Sequence, residues 1–356
     1  MESRLHPPLR VAIIGYGYAS KTFHAPLIAS VPGLELRAIG SSDAAKVAAD
    51  WPGVDVEPTP AALLARPDID LVVVPTPNDT HFPLAHAALM AGKHVVVDKP
   101  FTLTLAEAQQ LNTLAAAQQR VLSVFHNRRW DGGFLTLREL LASGRLGRVV
   151  HAESHFDRFR PAVRPRWREQ AGAGSGLWVD LGAHLVDQTL QLFGRPQAIA
   201  LDLLTQRDGA QTDDGFHAQL RYASGLRVIL HATALAAVPG ASFTVHGTRG
   251  SFVKTGLDPQ EDALKAGQRP DGRAAWALPA ENALLVLQDG DASDKLVSDH
   301  VPVLAGRYVD YYAAVRDAIL GRGPNPVPGE QAASVMALLE LGVASHQARR
   351  ELDVPA

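Results

Sequence analysis

Short β-branched runs alternate with longer helical patterns through the first third of the chain, and this alternation restricts the fold more than any other feature. RVAIIG (10 to 15), LELRAIG (34 to 40), IDLVVVPTP (69 to 77), HVVVD (94 to 98) and RVLSVF (120 to 125) read as strands. Residues 22 to 30, 42 to 50, 81 to 91 and 104 to 118 read as helices between them. Strand, helix, strand succession joins parallel neighbours, so the expectation is an α/β domain with a doubly wound parallel sheet, ending near residue 126. The apolar run 94 to 98 delivers Lys99 to the carboxyl edge of that sheet, and Pro100 bars further strand. Open parallel sheets bind ligands at that edge, which makes Lys99 a candidate catalyst.

Beyond a helical stretch around Phe134 to Ala142 the pattern changes. GRVVHAESHF, QAIALDLLTQ, FHAQLRYASGLRVILHATAL and SFTVHGTRGSFVKTG are runs with tight turns, and the turns at 223 to 225 and 247 to 250 carry glycine as hairpins do. An α+β domain over 127 to 356 with a large, open, mostly antiparallel sheet is therefore expected. Residues 257 to 282 are polar and rich in Gly and Pro, and are expected to loop out before Leu284 to Leu287 returns to strand. Two helices finish the chain. Their stripes, Tyr308, Tyr311, Val315 and Ile319, then Val335, Leu338, Leu339 and Gly342, read as core, and these helices can pack back on the first domain.

Length and composition narrow the function. A chain of 356 residues with 46% hydrophobic content suits two domains with substantial cores. Lys+Arg 34 against Asp+Glu 37 gives a formal net charge of -3, without global attraction to nucleic acid or an anionic membrane. The absence of cysteine excludes disulfides, thiolate catalysis and cysteine-based metal sites. MESRLHPPLR has no apolar signal core, and no apolar run approaches the roughly 20 residues of a membrane span. A cytoplasmic protein acting on a small molecule is expected.

GYGYAS (15 to 20) ends the first strand and opens the first helix, where a GxGxxG turn places a dinucleotide pyrophosphate on the helix N-terminus. Gly15 permits the turn, Gly17 lets a phosphate approach the backbone, and Ser20 replaces the third glycine. Glu35 has about the right spacing for a ribose-binding acid but lies at the start of strand two. Ser41 and Ser42, with Lys46 one helical turn further on, suit a 2'-phosphate better than a bare diol, so NADP is expected ahead of NAD, with Asp43 as the objection. VPTPND (74 to 79) ends another strand on the same edge. Pro75 packs there, while Thr76 and Asn78 are candidates to bond ribose or nicotinamide. His81 reads equally as a cofactor neighbour or as a helix-start histidine bonded to backbone.

GSGLWVDLGAHLVDQ (174 to 188) holds Asp180, His184 and Asp187 at offsets of four and three, on one helix face. Asp180 can orient the His184 imidazole for proton transfer, and Asp187 can hold its other side or its backbone turn. Without a third ligand nearby no metal is expected. HNRRW (126 to 130) and FDRFRPAVRPRWR (156 to 168) gather arginines among aromatics. In a net acidic chain they read as solvated surface or a polyol and phosphate pocket rather than a nucleic-acid site.

With GYGYAS, PTPNDTH, VVVDKP and DLGAHLVD in order over nearly the whole chain, the sequence resembles the Gfo/Idh/MocA oxidoreductase family. KTFHAPL, LSVFHNRRWD, FLTL, RFRP, RWRE, DQTLQLFG and GLDPQEDALKAG are most similar to the branch that holds NADP-dependent scyllo-inositol dehydrogenase. The resemblance implies an N-terminal Rossmann domain, a catalytic set of Lys99, Asp180 and His184, and a homodimer or homotetramer joined through the second sheet. It further implies Tyr16, Tyr18, Ala19, Pro100, Asn127 and Trp167 beside the cofactor, and Arg128, Arg158 and Trp167 as substrate contacts. Asp98 stands where the family has glutamate. The expected reaction is hydride transfer between a secondary alcohol of a cyclic polyol or sugar and NADP. Alternatives are a reductase of another sugar carbonyl and a non-enzymatic, NADP-responsive regulator.

Overall fold

Leu9–Ile14 (β1) is buried over its last four residues, because a parallel strand covered on both faces has no wet side. The computed structural model describes residues 7–270, 276–279, 281–290 and 294–355. Around β1 lie Leu34–Gly40 (β2), Asp55–Glu57 (β3), Leu71–Val74 (β4), His94–Val97 (β5) and Leu122–Val124 (β6), in the order β3-β2-β1-β4-β5-β6, every neighbouring pair parallel. Strand order reverses between β1 and β4, and the carboxyl ends flanking that switch form the ligand crevice of such sheets.

The helices of this unit are Ala25–Ala29 (α1), Ala44–Asp50 (α2), Pro60–Leu64 (α3), His81–Met90 (α4) and Leu105–Ala117 (α5). Their starts follow from sequence chemistry. Asp43 caps α2 and Thr59 caps α3, with Pro60 in its first turn, while Thr104 and Glu107 close a reciprocal capping box on α5. Both β3 and α3 went unread in the sequence. β3 is three half-buried residues without an apolar run, steadied by Arg66, which pairs with Asp55 at 2.7 Å and Glu57 at 3.1 Å.

The second unit carries Gly132–Ala142 (α6), Val149–His155 (β7), Ala183–Phe193 (α7), Ala198–Leu204 (β8), Gly215–Arg221 (β9), Arg227–Thr233 (β10), Phe243–Gly247 (β11) and Gly250–Lys254 (β12). Its nine-stranded sheet runs β14-β13-β12-β11-β7-β10-β9-β8-β15, where β13 is Ala283–Gln288, β14 Leu296–Val301 and β15 Leu352–Asp353. Only β7 and β10 are parallel neighbours; every other pairing is antiparallel. The parallel sheet and the mostly antiparallel one are those expected.

Chain order and unit membership part company. The first unit takes in Met1–Asn127, Gln260–Ala277 and Arg307–Ala333, and the second Arg128–Pro259, Leu278–Gly306 and Ser334–Ala356. The stretch 257 to 282 therefore does not simply loop out. Gln260–Lys265 (α8) forms within it, and the fully buried Gln260 accepts the Tyr308 amide at 2.7 Å through Oε1. Apolar patterning missed α8 because it has under two turns and four polar residues. Residues 271–275 and 280 of that stretch lie outside the described residues.

Tyr308–Ile319 (α9) also belongs to the first unit, and Tyr308, Tyr311, Tyr312 and Val315 are fully buried. Phe125 packs against Tyr311 with ring centroids 5.0 Å apart. The edge strand β6 is covered by a later segment. Val124 donates to the Val327 carbonyl at 3.1 Å, and the Asn325 amide donates to the Leu122 carbonyl at 2.8 Å. Gly329–Ala348 (α10) follows, the residues through Ala333 in the first unit and those from Ser334 in the second.

Candidate active site

Gly15 has φ +88°, a conformation that penalises any residue with a Cβ, so the turn after β1 requires glycine. At Gly17 a Cβ would meet nothing within 4 Å, leaving the backbone open to a ligand. A π turn, Ser20–His24, then runs directly into α1. Ser20 is fully buried and its hydroxyl donates to the Gly15 carbonyl at 2.8 Å. The serine thus ties the turn closed where the fingerprint has a third glycine. Glycine turn, open backbone and helix start together fit a dinucleotide pyrophosphate.

The Tyr16 hydroxyl donates to Asp50 at 2.9 Å, and burial followed by that hydrogen bond pushes the phenol well above its usual range. Lys46 Nζ donates to the Tyr16 carbonyl at 3.2 Å, which brings this exposed ammonium to the rim of the cradle. Asp43 accepts the Lys46 amide at 3.0 Å as the cap of α2, and Ser41 Oγ accepts the Asp43 amide at 3.1 Å. Asp43 is therefore engaged with its own helix. Ser42 is exposed beside it, and Glu35 is exposed at the far end of β2. Tyr18 is 57% exposed and meets Phe23 edge-on; Ala19 precedes the π turn.

At the end of β4, Thr76 lies against the glycine turn, its methyl 3.4 Å from where a Cβ on Gly15 would stand. Pro75 is half-buried, Asn78 is buried, and Thr80 donates to the Thr76 hydroxyl at 2.7 Å. His81 is fully buried, with Nε2 2.9 Å from the Thr76 carbonyl and Nδ1 2.9 Å from that of Pro100. Of its two readings, the backbone-bonded one describes its contacts. Burial holds its pKa below the ordinary histidine value.

Lys99 follows β5 and donates its amide to Asp98 Oδ1 at 2.7 Å; the Lys99–Pro100 bond is cis. Desolvation would raise the buried Asp98 carboxyl, but His24, Lys99 and His81 outweigh it and keep it below the ordinary carboxylate range. Lys99 stands two strands from the glycine turn, about 10 Å across the sheet. Asn127, buried, closes this unit's share of the expected residues.

In the second unit a further π turn, Trp178–Gly182, precedes α7 and carries Asp180. Its position is fixed by buried Trp178, whose indole N–H donates to the Leu339 carbonyl at 3.1 Å and whose amide donates to Asp213 at 2.7 Å. A Cβ at Gly182 would stand 2.5 Å from the Trp178 ring, so the glycine of DLGAH is a packing requirement. Asp180 Oδ1 lies 3.6 Å from Arg168 Nε, and His184 is buried on the first turn of α7.

Asp187 corrects the sequence reading. It makes a two-pronged pair with Arg129, at 2.9 and 2.6 Å, both side chains buried, instead of holding His184 or its turn. Offsets of four and three put three residues on a face, but a neighbouring arginine decides which way the third turns. Arg128 and Arg158 both lie over the Phe156 ring, at 4.7 and 4.5 Å, and Trp167 carries Arg168 at 4.5 Å. Glu169 gathers Arg166 at 2.6 Å and Arg207 at 2.9 Å, so part of the arginine run is structural. Arg158, Arg160, Arg168 and Asp180 line one cavity.

Sequence reading missed His24 and Tyr312. His24 Nδ1 lies 2.6 Å from the Tyr312 hydroxyl and its Nε2 3.6 Å from Asp98. A histidine four residues after Ser20 in KTFHAPL was the available signal.

Residues 9–126 match the model for an oxidoreductase family with an NAD-binding Rossmann fold, and residues 138–354 match the C-terminal alpha/beta domain of the same family. The chain belongs to the Gfo/Idh/MocA oxidoreductase family. Among other Gfo/Idh/MocA-like chains, it is 57% identical to the uncharacterized oxidoreductase YdgJ of Escherichia coli, over 97% of this chain and 98% of that one. It is 35% identical to the scyllo-inositol 2-dehydrogenase (NADP(+)) IolW of Bacillus subtilis, over 97% and 95%. The solved structure of YPO2259 from Yersinia pestis superposes with a TM-score of 0.94 at 54% identity, covering 100% of this chain and 99% of that one.

Proposed function

We propose that this oxidoreductase transfers a hydride between a secondary alcohol of an inositol-like cyclic polyol or sugar and NADP. The observation that carries the reading is one sheet edge bearing both the open glycine turn at Gly15 and Gly17 and, two strands away, Lys99. The 35% identity to an enzyme named for scyllo-inositol and NADP(+) supports the substrate and cofactor. When bound, NADP supplies the hydride acceptor at its nicotinamide ring. The backbone after Gly15 cradles the pyrophosphate, with Thr76 and Asn78 beside ribose and nicotinamide. Ser41, Ser42 and Lys46 receive the 2'-phosphate.

His184 takes the hydroxyl proton, Asp180 orients its imidazole, and Lys99 hydrogen-bonds the reacting oxygen to stabilise developing alkoxide. Arg128, Arg158 and Trp167 contact the remaining hydroxyls. Composition and charge support a cytoplasmic enzyme without nucleic acid or membrane, and the family resemblance supports a homodimer or homotetramer. Absorbance at the reduced nicotinamide band, followed with NADP and NAD across inositols, glucose, xylose and their ketones, tests the reading. Turnover with a polyol is expected, with Lys99→Ala and His184→Ala each losing at least 100-fold. Cofactor binding without turnover on any member of the panel would leave a regulator in its place.

A further inference from the structure

Nothing in the mechanism above uses His24, yet it is fully buried at the end of the Ser20–His24 π turn among Phe125, Tyr312 and Asp98. Its Nδ1 lies 2.6 Å from the Tyr312 hydroxyl. Tyr312 is also fully buried, and burial drives its phenol well above the ordinary value, so it keeps its proton. A ring proton on Nε2, which faces the acceptor-only Asp98 carboxylate, leaves Nδ1 to accept from the Tyr312 hydroxyl. Among the described residues Nε2 has no hydrogen-bond partner, and the Asp98 carboxylate stands 3.6 Å away. A buried N–H with no other acceptor directs its dipole at that carboxylate, in surroundings where screening is weak. The other Asp98 oxygen receives the Lys99 amide at 2.7 Å.

We infer that His24 is a positioning residue for Lys99: Tyr312 fixes its tautomer, it orients Asp98, and Asp98 holds the backbone of Lys99. The π turn that ends in His24 begins at Ser20, whose hydroxyl closes the glycine turn onto Gly15. One five-residue turn therefore ties the phosphate cradle at one end and the lysine loop at the other. The functional meaning of this chain rests on the reading of Lys99 as a site residue, but its existence does not.

The test measures Lys99 directly. Intact protein is pulsed with trace acetic anhydride and acetylation at each lysine is quantified by mass spectrometry. Lys93, which donates to the Arg66 and Ile69 carbonyls in the same unit, reports general loosening. His24→Phe is expected to raise Lys99 labelling at least threefold while Lys93 stays within 1.5-fold. His24→Gln, which keeps a donor near the Nε2 position, returns Lys99 to within 1.5-fold of the parent. Tyr312→Phe raises Lys99 labelling about twofold and serves if His24→Phe does not fold. Unchanged Lys99 labelling in His24→Phe and Tyr312→Phe, equal labelling in the Phe and Gln variants, or a parallel rise at Lys93 would overturn the assignment. Failure of the dehydrogenase reading shows separately, as cofactor binding without turnover in the parent protein, and failure of the Lys99 role as full turnover in Lys99→Ala.

Discussion

Arg129 and Asp187 form a two-pronged ion pair sealed inside the second unit, at 2.9 and 2.6 Å. Removing one partner of such a pair strands the other charge, which costs about 3–5 kcal/mol. Asp187→Ala should lower the urea midpoint accordingly, with the slope of the transition unchanged. An unaltered midpoint with lost catalysis would return Asp187 to the reacting groups.

Lys46 reaches the rim of the glycine turn through the Tyr16 carbonyl. A charge-assisted contact to a 2'-phosphate contributes about 1.5–3 kcal/mol, so Lys46→Ala should weaken NADPH binding roughly tenfold or more. NADH, which lacks that phosphate, should bind within twofold of the parent. Fluorescence titration of both nucleotides measures the difference, and equal losses would refute the cofactor assignment.

His94 begins β5 and accepts the Val121 amide through Nδ1 at 3.0 Å. Burial, helped by the Arg120 charge, pulls its pKa down to about 4. Unfolded, the same imidazole titrates near 6.5. A depressed folded value gives stability that is whole above the unfolded value and declines as pH falls from about 6.5 toward 4. His94→Asn keeps an acceptor without the titration and should flatten that acid limb. Denaturation midpoints at pH 7, 5.5 and 4.5 measure it; parallel loss in both proteins would exonerate His94.

Gly132 opens α6, its amide donating to Asp258 at 2.7 Å. A Cβ there would run into the Leu304 carbonyl, and backbone cannot swing aside as a flexible side chain can. Gly132→Ala should cost roughly 1–3 kcal/mol as an overpacking change. Gly144, with nothing within 4 Å but φ +69°, separates space from conformation: Gly144→Ala should also cost stability, through the backbone alone. Thermal midpoints measure both losses, and an unchanged midpoint in either variant refutes the mechanism given for it.

The parallel sheet was legible because its central strands β1, β4 and β5 are continuous apolar runs, and β2 emerged with the bounds that its run gives, 34 to 40. The position of Lys99 just past β5 was legible too, since a strand end followed by proline is a local event. Asp187 was misread because helical offset fixes a face but not a partner, and Arg129 lies 58 positions away. Both π turns escaped notice, since Ser20–His24 and Trp178–Gly182 are composed like ordinary helix. α8 was hidden because a short polar helix has no periodic signal, and its anchor is the amide of Tyr308, 48 positions later.

The late covering of β6 has a consequence during synthesis. Leu122 and Val124 obtain their partners from residues 325 to 327, about 200 positions downstream. At translation speeds of about 5–20 residues per second, the growing polypeptide spends roughly 10–40 s with that edge and the aromatic hollow beside Phe125 uncovered. The nucleotide-binding half begins first on the ribosome yet cannot finish until α9 and the segment after it have emerged. For that interval the edge of β6 is open to pairing with other chains, and a fragment stopping at residue 126 would keep it open.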